Sequence, residues 1–143
     1  MYNWTIVEDA NESDLAVLSE GVIRFGRSLA ADGHARPIAC FGRDGDKIIA
    51  GASGRTEYNR LFISYLWVEE NLRSQGIGSK ILAELEKAAR ERGSVDALLE
   101  TLDERAVKLY SRLGYRHVAK IPNYVGPFTK HIMIKSLKRV SGA

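Results

Sequence analysis

The sequence predicts a mixed α/β fold, in which helices flank a central sheet that is mostly antiparallel. Two observations predict this class. Apolar runs of strand length alternate with segments of helical period, in the order strand, helix, three strands, helix, strand, helix and two strands. The chain has 143 residues, of which 45% are apolar and 27% charged, so it is long enough for one core and too short for two. We therefore expect a single domain over residues 1–143.

Composition and charge exclude several classes of protein. No run approaches the roughly 18 apolar residues of a membrane-spanning helix, and the polar N-terminus lacks the apolar centre of a secretory signal. The net charge is only +3, and Lys and Arg never occur in runs longer than two, which disfavours a nucleic-acid binder. Cys40 is the only cysteine, so an internal disulfide is excluded and a reducing cytoplasm fits.

The N-terminal region is predicted to form one strand and one helix. Residues 4–8 are a short run of strand type, and apolar side chains recur at helical spacing over residues 13–31. Ser13 suits the N-cap position of this helix, and Gly33 follows its end. Gly21 lies inside the segment and is a candidate break between two shorter helices.

A hairpin and a central strand are predicted next. Residues 38–41 and 48–52 are apolar and flank a polar segment with the step Asp44-Gly45, which is typical of a hairpin turn. Residues 60–68 read RLFISYLWV and are apolar on both faces, as in a central strand that is covered on both sides.

The second half of the chain is predicted to contain two helices and three strands. The clearest helical period covers residues 78–92, with apolar and charged side chains on opposite faces and Gly93 at the end. Residues 96–101 are a second buried strand. Asp103 suits the N-cap of a short helix that Gly114 closes. The two closing strands are predicted over residues 115–121 and 131–137.

The segment most informative about function joins the central strand to the clearest helix and reads Arg73-Ser74-Gln75-Gly76-Ile77-Gly78-Ser79. Its glycines allow tight turns and a close approach of ligand to backbone. The amides and dipole of a helix start favour an anion, and an arginine suits phosphate oxygens. A Walker P-loop would need a lysine before the serine, and the dinucleotide fingerprint a third glycine where Ile81 stands. The pattern predicts a phosphate cradle, with a plain strand-to-helix turn as the alternative.

Two motifs together resemble the GNAT superfamily of N-acetyltransferases. The first is the pattern Arg-x-x-Gly-x-Gly that starts at Arg73, after a strand ending in valine and before an amphipathic helix. The second is AVKLYSRLGY, residues 106–115, which is similar to the superfamily's helix and turn at the same separation. The resemblance covers nearly the whole chain and is closest to small bacterial single-domain members. Two positions depart from it, since Asp103 stands where many members have asparagine and Ser74 where glycine is common.

The resemblance implies acetyl-CoA as cosubstrate and no metal. In this superfamily the strands corresponding to residues 60–68 and 96–101 splay into a V that holds the pantetheine arm. The end of the first strand then binds the arm through its backbone, and the glycine loop binds the pyrophosphate. The cofactor-binding residues implied are Leu66, Trp67, Val68, Arg73, Ser74, Gln75, Gly76, Ile77, Gly78 and Ser79. Tyr110 matches the acid that protonates the departing thiolate, and packing of its ring against the sheet is the alternative.

The general base is left open among four acidic residues near the strand ends: Glu57, Glu69, Glu70 and Glu100. Each is either a base within reach of the cleft or a solvated surface charge. The three histidines, His34, His117 and His131, have no place in the motifs and are expected to be surface or structurally satisfied residues. Cys40 has no basic neighbour in its strand, so a covalent cysteine mechanism is not expected.

The segment between the two closing strands is predicted to be a loop bracketed by Pro122 and Pro127. It contains two aromatic residues, Tyr124 and Phe128. They are either a wall of the acceptor site or a staple that holds the loop together.

The function implied is transfer of an acetyl group from acetyl-CoA to a primary amine of an unidentified acceptor, by direct attack on the thioester. The acceptor is a small molecule or a protein. Two alternatives stay open: an acyltransferase that uses a longer acyl-CoA, and a non-catalytic CoA-binding or interaction module with the same fold. No membrane partner is expected, and a homodimer is compatible with the resemblance.

Overall fold

A computed structural model describes residues 1–29 and 34–138. The chain divides into two compact units, Met1–His34 and Ala35–Ala143, which are described separately. In the first unit, residues 1–10 form neither helix nor strand, and helix α1 covers Glu12–Leu29. Asn11 caps α1, because its Oδ1 accepts hydrogen bonds from the Asp14 amide and the Ser13 hydroxyl, both at 2.8 Å.

Three predictions for the first unit are wrong. Residues 4–8 are not a strand, because a strand needs a partner backbone and no described residue pairs with them. Asn11, not Ser13, is the N-cap. Gly21 does not break α1, since one glycine costs only about 1 kcal/mol relative to alanine and the helix has 18 residues. The predicted helix end before Gly33 lies outside the described residues.

Within its described residues, the second unit has a six-stranded sheet and two helices. The elements are β1 (Arg36–Asp44), β2 (Lys47–Glu57), β3 (Arg60–Val68), α2 (Ile77–Glu91), β4 (Asp96–Thr101), α3 (Glu104–Arg112), β5 (Arg116–Val125) and β6 (Phe128–Ser136), with a 3-10 turn at Glu70–Leu72. The strands lie in the order β1-β2-β3-β4-β6-β5, in which β3 and β4 are parallel and the other neighbouring pairs antiparallel. The predicted mixed, mostly antiparallel sheet flanked by helices is confirmed.

The core lies between α2, α3 and one face of the sheet, which we call the helix face. Fully buried leucines such as Leu61 and Leu85 each contribute about 1.5–3 kcal/mol by leaving water. Side chains alternate along a strand, so the neighbours of the buried strand residues point to the opposite face. The core residues of this layer include Leu61, Ile81, Leu85, Ala89, Ala97, Leu99, Val107 and Met133.

A buried polar cluster joins α2 to the end of α3 and to β6. Glu86 on α2 is 3% exposed, and its carboxylate accepts hydrogen bonds from the Tyr115 hydroxyl at 2.7 Å and the Lys135 ammonium at 2.8 Å. Burial, followed by the charge of Glu86, raises the pKa of Tyr115, so this phenol stays protonated and donates. A buried carboxylate is costly without partners, so separating Glu86 from Tyr115 or Lys135 is unfavourable. The cluster therefore helps to hold α2 in place relative to the end of α3.

The end of the chain differs from the predicted loop. β5 continues to Val125 and β6 starts at Phe128, so only two residues separate the strands, and Val125 pairs with Phe128. An irregularity in the β5–β6 register accommodates Pro122, which cannot donate to the ladder. Tyr124 and Phe128 therefore lie on strands, and the loop prediction is wrong.

Three other local predictions are confirmed. β1 and β2 form the hairpin expected at Asp44-Gly45. α2 ends just before Gly93, although it begins at Ile77, one residue earlier than predicted. The Asp103 carboxylate accepts a hydrogen bond from the Arg105 amide at 2.9 Å and caps α3.

Candidate active site

β3 and β4 separate towards their carboxyl ends. The strands pair over three positions, from Arg60 with Asp96 to Phe62 with Leu98, and the ladder stops there although β3 continues to Val68. In the described sheet, the edge of β3 that faces β4 has no strand partner beyond Phe62. The expected splay is therefore present, and it places unpaired backbone groups along one wall of a cleft.

A cleft of about 510 Å³ begins at this splay. Its walls are the end of β3, the loop before α2, the first turn of α2 and one face of α3. Nine of the ten residues predicted to bind the cofactor line this cleft, whereas Gln75 is exposed and does not. The lining residues are Leu66, Trp67, Val68, Leu72, Arg73, Ser74, Gly76, Ile77, Gly78, Ser79, Asp103, Arg105, Ala106, Leu109 and Arg112.

The start of α2 presents backbone amides to the cleft. Gly76 is the N-cap with a φ of 82°, and Ser74 also has a positive φ, of 64°. The first amides of a helix have no acceptor inside the helix, and the helix dipole makes this end positive. A Cβ built at Gly76 would meet no atom within 4 Å, so the space beside this backbone is open. The donors, the charge and the open space fit a phosphate group.

Three arginines line the cleft, and only one was predicted. The Arg73 Nε donates a hydrogen bond to the Val68 carbonyl at 2.9 Å, which holds this guanidinium at the end of β3. Arg105 and Arg112 come from α3, and the Arg105 Nε lies 3.6 Å from the Asp103 carboxylate. Their spacing of seven residues puts both on one helix face, which is the signal in the sequence that could have revealed them.

Tyr110 lies on α3 next to Leu109, which lines the cleft, but Tyr110 is not itself among the lining residues. Its ring packs against the core and edge-on to the ring of Tyr115, with the ring centroids 5.9 Å apart. Burial, and then the charge of Asp103, raises the pKa of Tyr110. The ring is therefore packed, as one interpretation expects, while the hydroxyl keeps at neutral pH the proton that an acid needs.

Two of the four candidate bases lie at the open end of the splay. Glu69 directly follows β3 and is 3.2 Å from the Lys47 ammonium. Glu100 lies on β4 beyond its last pairing with β3, and its carboxylate is 2.7 Å from the Lys130 ammonium. Both carboxylates thus lie within ion-pair distance of a lysine at the open end of the splay.

The other two candidates differ in position. Glu57 pairs with Arg60 across β2 and β3, at the end of β3 far from Val68. The prediction that it could reach the cleft is wrong, because the antiparallel register carries it to the closed end of the splay. Glu70 is exposed in the 3-10 turn that follows β3.

Two histidines form a chain with a glutamate on α3. His131 is buried, its Nδ1 lies 2.9 Å from His117 Nε2, and its Nε2 lies 2.8 Å from Glu104 Oε1. Both ring nitrogens of His131 therefore have partners, as expected for a structurally satisfied histidine. Partial burial, followed by the charge of Lys120, lowers the pKa of His117. The strand register and α3 create these contacts, so local spacing carries no signal for them.

Among residues 1–29 and 34–138, no group of three or more His, Cys, Asp or Glu side chains is arranged to hold a metal ion. Within the same ranges, none of the helices combines the length and the apolar character that crossing a membrane requires.

Comparisons with known proteins agree with this architecture. The model of the acetyltransferase (GNAT) family matches residues 4–115. A blasticidin-S acetyltransferase of Streptomyces morookaense is 35% identical over 110 residues, which are 73% of this chain and 80% of that protein. A crystal structure of an acetyltransferase from Agrobacterium tumefaciens has a TM-score of 0.88 at 23% identity, with 94% of this chain and 99% of that one covered. An aminoglycoside 6'-N-acetyltransferase complexed with coenzyme A has a TM-score of 0.66 at 18% identity, with the same coverage of 94% and 99%.

The fold and the matched relatives define the class of protein as an acetyltransferase. The chain belongs to the GNAT family, because the family model covers most of it and a relative of 35% identity matches over most of both chains. The resemblance inferred from the two sequence motifs is thereby confirmed.

Proposed function

We propose that this protein transfers the acetyl group of acetyl-CoA to a primary amine of a small molecule. The observation that carries the proposal is the cleft between β3 and α3, which ends on the amides of the α2 start beside Arg73. A pyrophosphate carries the negative charge that these groups favour. The structural neighbour complexed with coenzyme A supports the same cosubstrate for this chain.

The proposed cosubstrate site uses backbone and arginine groups. The unpaired edge of β3 at Leu66, Trp67 and Val68 binds the extended arm in the manner of an added strand. The loop of residues 73–79 binds the pyrophosphate, with at most a backbone contribution from Gln75, which does not line the cleft. The arginines on α3 add positive charge to the same cleft.

The proposed reaction forms a nitrogen–carbon bond and breaks the carbon–sulfur bond of the thioester. An alkyl amine with a pKa of about 10.4 is only about 0.04% neutral at pH 7, so a base has to remove a proton. Glu69 and Glu100 are the candidates at the open end of the splay. Backbone amides near Val68 polarise the carbonyl, and Tyr110 gives its proton to the departing sulfur.

The choice of a small-molecule acceptor follows the relatives, since the curated relative is named for blasticidin S and the CoA-bound neighbour for aminoglycosides. The proposal treats residues 1–143 as one acetyltransferase domain, because the family model extends from the first unit into the second. It also places the enzyme in the cytoplasm, with which the unpaired Cys40 is compatible.

The test is release of free CoA thiol from acetyl-CoA with a panel of amines: blasticidin S, an aminoglycoside, 1,4-diaminobutane and n-butylamine. Amine-dependent thiol release, with an acetylated product by mass spectrometry, is the expected result. CoA binding in a calorimeter without turnover of any amine would favour the non-catalytic module. Faster turnover of a longer acyl-CoA than of acetyl-CoA would favour the alternative acyltransferase.

Replacing Tyr110 with phenylalanine should lower kcat by about 10–100-fold, at the low end of general acid catalysis, because a thiolate already leaves fairly readily. The change removes only the hydroxyl and keeps the ring that packs against Tyr115. The affinity for CoA and the melting temperature should change little. Steady-state kinetics, with chemistry shown to be rate-limiting, measure the effect.

The matched control for this substitution is Tyr58→Phe, which deletes the same hydroxyl from an exposed tyrosine in the β2–β3 turn. It should leave kcat unchanged. Equal turnover by the Tyr110 variant and the parent would show that Tyr110 only packs against its neighbours. Water would then have to supply the proton that the departing thiolate takes up.

Replacing Cys40 with alanine should keep turnover within a few-fold of the parent. Burial, and then the charge of Glu84, raises the pKa of the Cys40 thiol, which disfavours the nucleophilic thiolate. The packing cost should be about 1 kcal/mol, which a thermal melt detects. A folded variant without any activity would show that the thiol takes part in the chemistry.

A further inference from the structure

A group of side chains at the start of β6 has the composition of an ammonium-binding site. The Lys130 Nζ lies 2.7 Å from Glu100 Oε2, donates a hydrogen bond to the Tyr124 hydroxyl at 3.2 Å, and lies 4.3 Å from the centroid of the Tyr124 ring. A carboxylate, a hydroxyl and an aromatic face are the groups that stabilise a primary ammonium. We call Glu100 and Tyr124 the ammonium cage, and the protein's own Lys130 fills it.

The cage lies at the open end of the splay, on the sheet face opposite the helix face. Glu100 comes two residues after Leu98, the last residue of β4 that pairs with β3. Its neighbour Leu99 is buried in the core, so Glu100 points to the opposite face. The cleft walls from α2 and α3 lie on the helix face, where the proposed cosubstrate binds. If the cosubstrate binds on the helix face, the opposite sheet face, which carries the cage, is the one left for the amine.

Lys130 is able to leave the cage without loss of the fold. The Glu100 side chain is 45% exposed and the Lys130 side chain 20%, so solvent reaches the ion pair and its contribution to stability is expected to be about 1 kcal/mol. A lysine side chain is a point charge on a flexible stem, so it moves without displacing the backbone. The hairpin that carries Lys130 is held independently by the β5–β6 ladder.

We propose that the cage binds a second, unreacting ammonium of the acceptor after Lys130 swings out. One amino group of the acceptor stays charged in the cage while another, neutral, attacks the thioester. The enzyme then prefers acceptors with two amino groups. This inference rests on the proposed function, because it assumes an amine acceptor. The competing interpretation is that Lys130 only fastens the hairpin to β4.

The two interpretations predict opposite effects for Lys130→Met, which removes the charge and keeps the length of the side chain. If Lys130 occupies the place of the acceptor, the variant lowers the KM for 1,4-diaminobutane by about fivefold with little change in kcat. If Lys130 is only a fastener, the variant raises this KM or leaves it unchanged, which overturns the proposal. Lys120→Met is the matched control, an exposed lysine on β5 of the same hairpin, and should change neither constant.

Glu100→Gln tests the carboxylate of the cage. It should raise the KM for 1,4-diaminobutane by about tenfold, as expected for the loss of one charge-assisted contact. In this proposal Glu100 holds the unreacting ammonium and Glu69 is left as the base. n-Butylamine has only the reacting amino group, so the ratio of kcat/KM for 1,4-diaminobutane to kcat/KM for n-butylamine should fall by the same factor. A fall in kcat for both amines, without a selective change in KM, would assign Glu100 to proton removal and overturn the cage.

A binding measurement separates this inference from the proposed function. 1,4-Diaminobutane is titrated into the protein without acetyl-CoA, and the NMR signals of the Tyr124 ring, assigned with Tyr124→Phe, are followed. The signals should move, with tighter binding in Lys130→Met and none in Glu100→Gln. Such binding without turnover of any amine would support the ammonium cage and contradict the proposed acetyltransferase activity. Turnover of an amine without any shift of the Tyr124 signals would support the proposed acetyltransferase activity and contradict the ammonium cage.

Discussion

Replacing Gly76 with valine is expected to weaken the binding of CoA by about 100-fold, the effect of losing one or two charge-assisted hydrogen bonds. Gly76 is the N-cap of α2 and has a φ of 82°, a left-handed conformation that a β-branched residue rarely adopts. The valine would therefore turn the first amides of α2 away from the proposed pyrophosphate, and its side chain would enter the open space beside them. Isothermal titration calorimetry with CoA measures the loss.

The control for Gly76→Val is Gly93→Val at the other end of the same helix. Gly93 has a φ of 95° and, like Gly76, open space around a built Cβ, so the backbone strain is matched. Gly93 does not line the cleft, and its substitution should leave CoA affinity within about twofold of the parent. If both valine variants lose affinity equally, the effect is one of general strain and the proposed pyrophosphate site is wrong.

Replacing Gly54 with alanine is expected to destabilise the second unit by about 3 kcal/mol, at the upper end of overpacking. Gly54 lies at the irregularity in the β2–β3 register, where a built Cβ would collide with the backbone oxygen of Phe62. A backbone atom in a central strand cannot move aside as a side chain tip can, so the ladder has to distort. Thermal unfolding followed by circular dichroism should show a loss of about 10 °C.

The control for Gly54→Ala is Gly42→Ala on β1. A Cβ at Gly42 would make ordinary contacts, at 3.6 Å with Ile81 Cδ1 and 3.7 Å with the Cβ of Ala50. We expect this variant to unfold at the temperature of the parent or up to about 5 °C above it, because the added methyl group is unstrained and alanine lowers the conformational entropy of the unfolded chain. A Gly54 variant as stable as the Gly42 variant would mean that the irregularity between β2 and β3 opens freely.

The parts of the fold with strong local signals could be predicted from the sequence. The helical period of α2, the cap at Asp103 and the Asp44-Gly45 turn each depend on residues a few positions apart, and the structure has all three. The glycine loop before α2 belongs to the same group, because its chemistry arises from consecutive backbone groups at one helix start. Isolated signals were less reliable, since residues 4–8 have strand composition but no described strand partner.

The parts that depend on strand register could not be predicted. Glu57 is close to Val68 along the chain, yet the antiparallel register puts the two at opposite ends of the splay. The contacts of His131 with His117 and Glu104 join residues that are 14 and 27 positions apart. The pair of Glu100 and Lys130 likewise exists only once β4 and β6 lie side by side. A one-residue change of register would have moved each of these side chains to the other face of the sheet.

The buried cluster of Glu86, Tyr115 and Lys135 constrains how such a protein can diverge. Because it ties α2 to the residues that follow α3, a mutation that shifts either helix is expected to change the shape of the cleft between them. Lys135 lies near the end of β6, whereas Lys130 lies near its start beside the hairpin turn. Substitutions at that turn leave the cluster intact. If the two proposed sites are correct, the specificity for the acceptor can change through substitutions in the hairpin while the helices keep the binding of acetyl-CoA unchanged.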